Sequence, residues 1–356
     1  MPDASPALPR RQSRFWLFAP FVLLVLAAAG WTTAWLMVRG QTSRVLDDWV
    51  ANEAAQGRQW ACPSRAVGGF PFRIEVNCAS LSLQRANSRL TLGPVTVAAQ
   101  VYRPRHVIAY VAGPLRASNG QISVEGTWRL LEASIRTTPD GLQRASLAAD
   151  GPAFRLTGVT PGDLNLSAQR LETHLRPNPG RVTEGAYDWS LRAAKLALPG
   201  LDLLIGGAEP ADLELDLTVT QGRDLAARPL AEELERWRQA GGRLELARLA
   251  VAKGARRIEG KGEFGLDDSH RPQGRAELAA AGLGGFLGTV LGARAGATAA
   301  LLGALRRKGA ESEAAPTGAA RGANPALKPL PPLRIEGGRI HLGPLPIPGV
   351  RVAPLY

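Results

Sequence analysis

The 356-residue chain is expected to be mainly β, β with a few helices: an N-terminal transmembrane helix followed by an extended, curved antiparallel β-sheet domain. Three observations carry this. Phe15 to Val38 reads FWLFAPFVLLVLAAAGWTTAWLMV without a formal charge. From Leu81 to Thr220 most apolar runs alternate with polar residues at a period of two, which places one side chain in two on a buried face. The regular strand–helix alternation of a parallel α/β protein is absent.

At 1.5 Å per residue, about 20 apolar residues cross a hydrocarbon core, so residues 15–38 suffice as an anchor behind a cytoplasmic tail, residues 1–14. Trp16 at one end and Trp31 and Trp35 at the other suit the interfacial preference of indole. Pro20 falls in the first turns, where its missing N–H matters least. A cleaved signal peptide, with Arg10 to Arg14 as its basic region and Ala27-Ala28-Ala29 as its cleavage site, is the competing reading. Against it, the apolar run continues well past Ala29. Arg10, Arg11 and Arg14 precede the span and Arg39 and Arg44 follow it. This modest asymmetry favours a short cytoplasmic tail and a C-terminal portion outside the cytoplasm.

Residues 39–59 are expected to form a separate juxtamembrane helix, capped by Thr42 or Ser43, striped by Val45, Leu46, Trp49 and Val50, and stopped at Gly57. Residues 60–307 then read as a β-rich domain. Gly68-Gly69 marks a turn, and Phe70, Phe72, Ile74, Val76 and Cys78 alternate with Pro71, Arg73, Glu75 and Asn77 as a half-buried strand. Later runs include LTLGPVTVAAQVY and QISVEGTWRLLEASIRT, with Asn119-Gly120 and Asp140-Gly141 as the best hairpin turns. Pro229 opens a helix with Leu230, Leu234 and Trp237 on one stripe, a Glu232–Arg236 pair, and an end at Gly241. Strands follow over 244–251, 257–263 and 274–280. Gly284, Gly288, Gly292 and Gly296 recur every fourth residue, as in a helix packed closely against another backbone; soluble, interfacial and membrane-spanning forms are open. Residues 308–332 read as a flexible linker, and residues 333–356 as C-terminal strands completing the domain, with a last pair over 333–342.

Cys62 and Cys78 are the two cysteines, with 15 residues between them. In an oxidising compartment they would bridge, for about 3 kcal/mol of stabilisation from loop closure; two free buried thiols are the alternative. Two cysteines with no Cys or His cluster cannot complete a zinc site.

Trp60, Cys62, the Gly69-Phe70-Pro71-Phe72-Arg73 run and Cys78 resemble the bacterial envelope family named domain of unknown function 2125. So do Ala240-Gly241-Gly242 before Leu244, Gly260 and Gly262 before Phe264, and GGRIHLGPLPIP at the C-terminal end. The resemblance implies a single-pass inner-membrane protein facing the periplasm, distantly similar to AsmA-like proteins built of long β-sheets. It implies no reaction and no catalytic residue.

The residues themselves point away from chemistry. There are 43 Lys and Arg against 31 Asp and Glu, but the excess is dispersed arginine without a dense basic helix or zinc-finger spacing, so no nucleic-acid partner is expected. His106, His174, His270 and His341 stand apart, DDSHRP around His270 reads as a solvated turn, and no nucleophile elbow or phosphate loop is present. No enzyme, metal or cofactor is expected. Arg73 beside Phe70 and Phe72 has two readings: contact with a lipid phosphate, or a core made by the two rings with Arg73 facing water or pairing near Glu75. The expected function is binding of lipid or envelope partners in an apolar groove of an open sheet. The alternatives are a structural or assembly protein of the envelope with a filled core and, least favoured, a hydrolase.

Overall fold

The computed structural model describes residues 15–159, 162–199, 202, 205–222, 230–282 and 326–356. The tail 1–14, Pro229, the glycine series at 284–296 and linker residues 308–325 lie outside the described residues. In chain order the elements are α1 (Phe15–Ala55), β1 (Gln59–Ala61), β2 (Ala66–Gly68), β3 (Arg73–Cys78), β4 (Leu81–Arg85), β5 (Ser88–Leu92), β6 (Val95–Gln100), β7 (Arg103–Val111), β8 (Leu115–Ser118), β9 (Ser123–Thr127), β10 (Leu130–Thr138), β11 (Gly141–Asp150), β12 (Ala153–Thr157), β13 (Leu164–Ser167) and β14 (Arg170–Pro177). Then come β15 (Tyr187–Leu196), β16 (Ala211–Val219), α2 (Leu230–Gln239), β17 (Leu244–Lys253), β18 (Arg256–Leu266), β19 (Pro272–Ala281), β20 (Lys328–Pro329), β21 (Leu333–Glu336), β22 (Arg339–Leu342) and β23 (Leu345–Arg351).

α1 is one helix, not an anchor followed by a capped second helix. The hydroxyls of Thr42 and Ser43 donate back to the Val38 and Arg39 carbonyls, four residues earlier. Each is thereby spent inside the helix and caps nothing. The helix stops where expected, at Gly57 with φ +75. Its window of highest mean hydropathy reaches 2.0, and it is long and apolar enough to cross a membrane.

All paired strands among the described residues are antiparallel, in a 7-stranded sheet ordered β1-β4-β5-β8-β9-β12-β13 and a 16-stranded sheet ordered β2-β3-β6-β7-β10-β11-β14-β15-β16-β17-β18-β19-β21-β22-β23, with β20 on β19. Placed side by side, the two orders match strand for strand. β3 runs into β4, β5 into β6, β7 into β8, and so on to β13 into β14, through links of two or three residues. These are long strands, each bent once at a shared level, so the small sheet is the upper half of the large one folded over. Runs such as LTLGPVTVAAQVY and QISVEGTWRLLEASIRT are therefore not single flat strands. They break at residues 93–94 and 128–129.

The bend follows from residue chemistry. Three links contain Gly-Pro: Gly93-Pro94, Gly113-Pro114 and Gly151-Pro152. Proline donates no ladder hydrogen bond, and glycine lets neighbouring backbone close in. The crease is nevertheless bonded along its length. Gly93 N donates to Pro114 O at 3.2 Å, Ala112 N to Pro94 O at 2.8 Å, Arg129 N to Asp150 O at 2.9 Å and Ala168 N to Pro152 O at 2.9 Å. Trp128 Nε1 donates to Val111 O at 2.7 Å from within it.

Side-chain alternation then makes two-faced sheets. One row across the large sheet reads Ile74, Ala99, Val107, Ile135, Ala145, Leu175, Trp189, Leu217, Leu246. Its opposite face carries Asn77, Thr96, Tyr110, Glu132, Ala148, Glu172, Arg192 and Glu214. In the small sheet Leu83, Leu90, Ala117, Val124, Leu156 and Leu164 form one row, backed by Ser82, Thr91, Arg116, Glu125, Arg155 and Asn165. The apolar faces turn toward each other: Leu166 of the small sheet packs on a cluster holding Ala193, with Leu213 of the large sheet against it.

Smaller expectations fare variously. Asn119 does organise a hairpin turn, its Oδ1 accepting from Gln121 N and Ile122 N at 3.1 and 2.8 Å. In α2, Arg236 pairs with Glu233 at 3.5 Å and not with Glu232, and Leu230 is exposed, so the apolar stripe is narrower than expected. Trp237 holds α2 by donating to Thr220 O at 2.8 Å. Part of the expected linker is strand β20, and β23 extends the C-terminal pair. The turn at His270 is held by Asp267, whose Oδ1 accepts from Ser269 N and Arg271 N at 2.8 Å each.

The crease generates a prediction. A methyl added at Gly93 would lie 2.4 Å from Gly113 O and 2.7 Å from Ala112 O, both backbone. Gly93→Ala is therefore expected to destabilise the domain by about 3 kcal/mol in urea unfolding of the full chain, whereas Gly68→Ala, which meets nothing within 4 Å, should be near neutral.

Candidate functional site

The residues singled out in the sequence assemble on one seam between α1 and the first strands. From Trp60 to Arg73 the chain runs back down the helix it has just left. Trp60 packs against Trp49 at a tilt of 40°, with ring centroids 5.6 Å apart, and donates to Glu53 Oε2 at 3.2 Å. Arg58 places Nε and Nη2 on the two oxygens of the same carboxylate, each at 2.5 Å. Lower down, Arg65 pairs with Asp47. At the bottom Trp35 Nε1 donates to Arg73 O at 3.0 Å and Trp31 Nε1 to Pro71 O at 2.9 Å. Phe70 meets Trp35 edge-on at 5.4 Å, and Phe72 lies 6.3 Å from Trp31.

This corrects the reading of Phe70 and Phe72 as strand core. The strand begins at Arg73, and the two rings are 54% and 62% exposed in the preceding turn. Gly69 shapes that turn with φ +97, a conformation that L side chains rarely adopt, and a Cβ there would sit 2.7 Å from Arg73 O. Indole edges on the helix supply partners for ring and carbonyl that a strand core would not. Arg73 pairs with Glu75 itself at 3.0 Å. Cys62 and Cys78 form a disulfide with 5.3 Å between Cα atoms. It lies at the crease and ties the first bent strand to the second.

Above this seam no buried cluster among the described residues joins the two apolar faces. Leu83, Leu90, Ala117, Ile122 and Val124 on the small sheet, with Arg85, Ser88, Arg89, Ser118 and Asn119, line an open hollow of about 410 Å³, and Ile135 on the facing sheet is 48% exposed. At the β13–β16 end the faces meet, and beyond it Ile205, Ala211, Val251 and Ala280 form a closed cluster. The inside is thus a trough, filled at one end by small side chains and open along the small sheet at the other. Nearby, Lys253 is 1% exposed and its ammonium is held by Asp202 and the Glu209 carbonyl.

The polar face of the large sheet carries two of the four histidines. His106 Nε2 lies 3.0 Å from Ser134 Oγ, and His174 Nδ1 lies 2.9 Å from Ser146 Oγ. Asp216, two strands from His174, is bound to Arg192 at 3.0 Å. Among the described residues no group of three His, Cys, Asp or Glu is placed to hold a metal ion.

Glu53 supplies a pH dependence. The Arg58 guanidinium, helped by the Trp60 N–H, lowers its carboxyl from 4.5 to about 2. A lowered folded-state value stabilises above the unfolded value, and the contribution is lost as pH falls from about 4.5 toward 2. Thermal unfolding over that range should show the wild type losing stability that Glu53→Gln, already without the charge, does not lose.

No curated protein and no solved structure matches the chain. A family model described as an uncharacterized protein conserved in bacteria (DUF2125) matches residues 35–350. The match runs from Trp35, on the seam, through the creased sheets to the C-terminal strands, and the chain belongs to this DUF2125 family.

Proposed function

We propose that this protein is a non-catalytic lipid-binding element of the bacterial envelope, anchored in the inner membrane by residues 15–38, with its creased β domain in the periplasm. The observation that carries the reading is the pair of apolar faces that pack together at one end and leave an open, apolar-floored hollow at the other. An apolar surface left half-buried is costly in water, at roughly 25 cal/mol for each Å², and an acyl chain is the ligand that an elongated trough with an apolar floor suits. The helix seam supports the same reading, since it fixes the open end of the trough beside the anchor. The disulfide supports placement in an oxidising compartment.

Two measurements test it. Full-length protein reconstituted with a phospholipid carrying a photoactivatable acyl chain should yield adducts within residues 81–124, and Ala117→Trp, which fills the hollow, should lose most of them. Adducts confined to α1 would exclude the trough as a lipid site and favour a structural role in the envelope. For placement, Cys62 and Cys78 should resist alkylation in intact membranes until a reductant is added; labelling without reductant would sink the periplasmic assignment.

A further inference from the structure

The lower rim of the large sheet holds a basic hollow that neither the seam nor the trough uses. The turn joining β6 to β7 is bonded to the aromatic loop, Val101 N donating to Phe72 O at 3.0 Å. Tyr102 of that turn, Arg103, Arg105 and His106 of β7 and Arg136 of β10 stand around an open hollow of about 510 Å³. Tyr102 is 61% exposed, and all three arginines are exposed. Several other arginines end on carboxylates, Arg170 on Asp150 and Glu172 and Arg181 on Glu184 and Glu245, whereas Arg144, across from Arg136, donates to Ser146 Oγ. Among the described residues Arg103, Arg105 and Arg136 end on no carboxylate, and Asp140 in the next turn pairs with none of them.

Three arginines lining one hollow without a carboxylate leave positive charge unbalanced there, and an anion offsets it. The position of the hollow says which anion. Phe72 and Phe70 lie against Trp31 and Trp35, and both indoles sit within the apolar run that ends at Val38. The hollow is therefore held at the level where an anchored helix leaves the hydrocarbon, beside exposed aromatic rings of the kind that favour the headgroup zone. We infer that it receives the phosphate of an anionic phospholipid at the outer face of the membrane crossed by α1. Arg103, Arg105 and Arg136 donate to the phosphate oxygens, and Tyr102, Phe70 and Phe72 lie among the upper acyl segments. Guanidinium forks suit phosphate geometry and keep their charge at any physiological pH. The inference rests on α1 as a membrane anchor and not on an acyl chain in the trough.

Native mass spectrometry of the full chain released from neutral detergent micelles tests it, with phosphatidylglycerol, phosphatidylcholine and inorganic phosphate titrated separately. Phosphatidylglycerol should be retained in preference to phosphatidylcholine, and replacing the three arginines by serine should weaken retention by roughly fivefold per arginine at low salt. Lysines at the same three positions should restore part of the preference, which a folding defect would not allow. Ala117→Trp should leave the preference intact even if it abolishes trough adducts, so failure of one reading is separable from failure of the other. Equal retention of the two lipids, undiminished retention by the serine variant, or binding of inorganic phosphate without phosphatidylglycerol would each overturn it.

Discussion

The crease is the constraint on which the rest of the molecule depends. Each long strand from β3 to β14 must bend at one level, because neighbouring strands exchange backbone hydrogen bonds on both sides of the bend and a strand that bent elsewhere would lose register with both partners. Glycine and proline make the bend locally feasible, and the bonds across it make it collective. From this single line follow the two sheets, the facing of their apolar surfaces, and a trough that is filled where the strands stop bending at β15.

The second determinant is where the crease is tied down. The disulfide joins the first two bent strands at the crease itself, while Trp49, Glu53, Arg58 and Trp60 clamp the same strands to the upper helix. Lower on the helix, Trp31 and Trp35 bond to the carbonyls of Pro71 and Arg73. One side of the creased sheet is thereby splinted along α1 from Trp31 to Glu53. A helix of 41 residues spans roughly 60 Å, more than a bilayer core requires, and its upper portion is bonded to the domain. The lower contacts place exposed aromatic rings and the basic rim together at one end.

Much of the local structure was legible beforehand. A period of two in runs such as LSLQ and DLELDLTVT marked strands and their apolar faces, Asn119-Gly120 marked a hairpin, and Gly57 marked the end of the helix. The Gly-Pro pairs at 93–94, 113–114 and 151–152 were equally visible, yet each sat inside or beside an alternating run. One such pair signals an irregular strand, whereas three at matched register signal a fold line, and register exists only once strands have paired. Phe70 and Phe72 misled for a related reason. Their alternation with Ile74 continues the strand period, but the rings are recruited by indoles some forty residues earlier, a contact that no window of sequence contains.

The chain by itself thus determined its long apolar helix, its β character, the two-faced strands and the cysteines that would be joined, because each is a property of spacing over a few residues or of composition within one segment. Only the tertiary structure decided that the sheet folds over along a line, that Glu53 and Trp60 lock the upper helix, and that Arg103, Arg105 and Arg136 meet around one hollow beside Phe72. These depend on contacts between distant segments, whose geometry is fixed by strand register and by closure of the helix seam and not by any local preference of the residues involved.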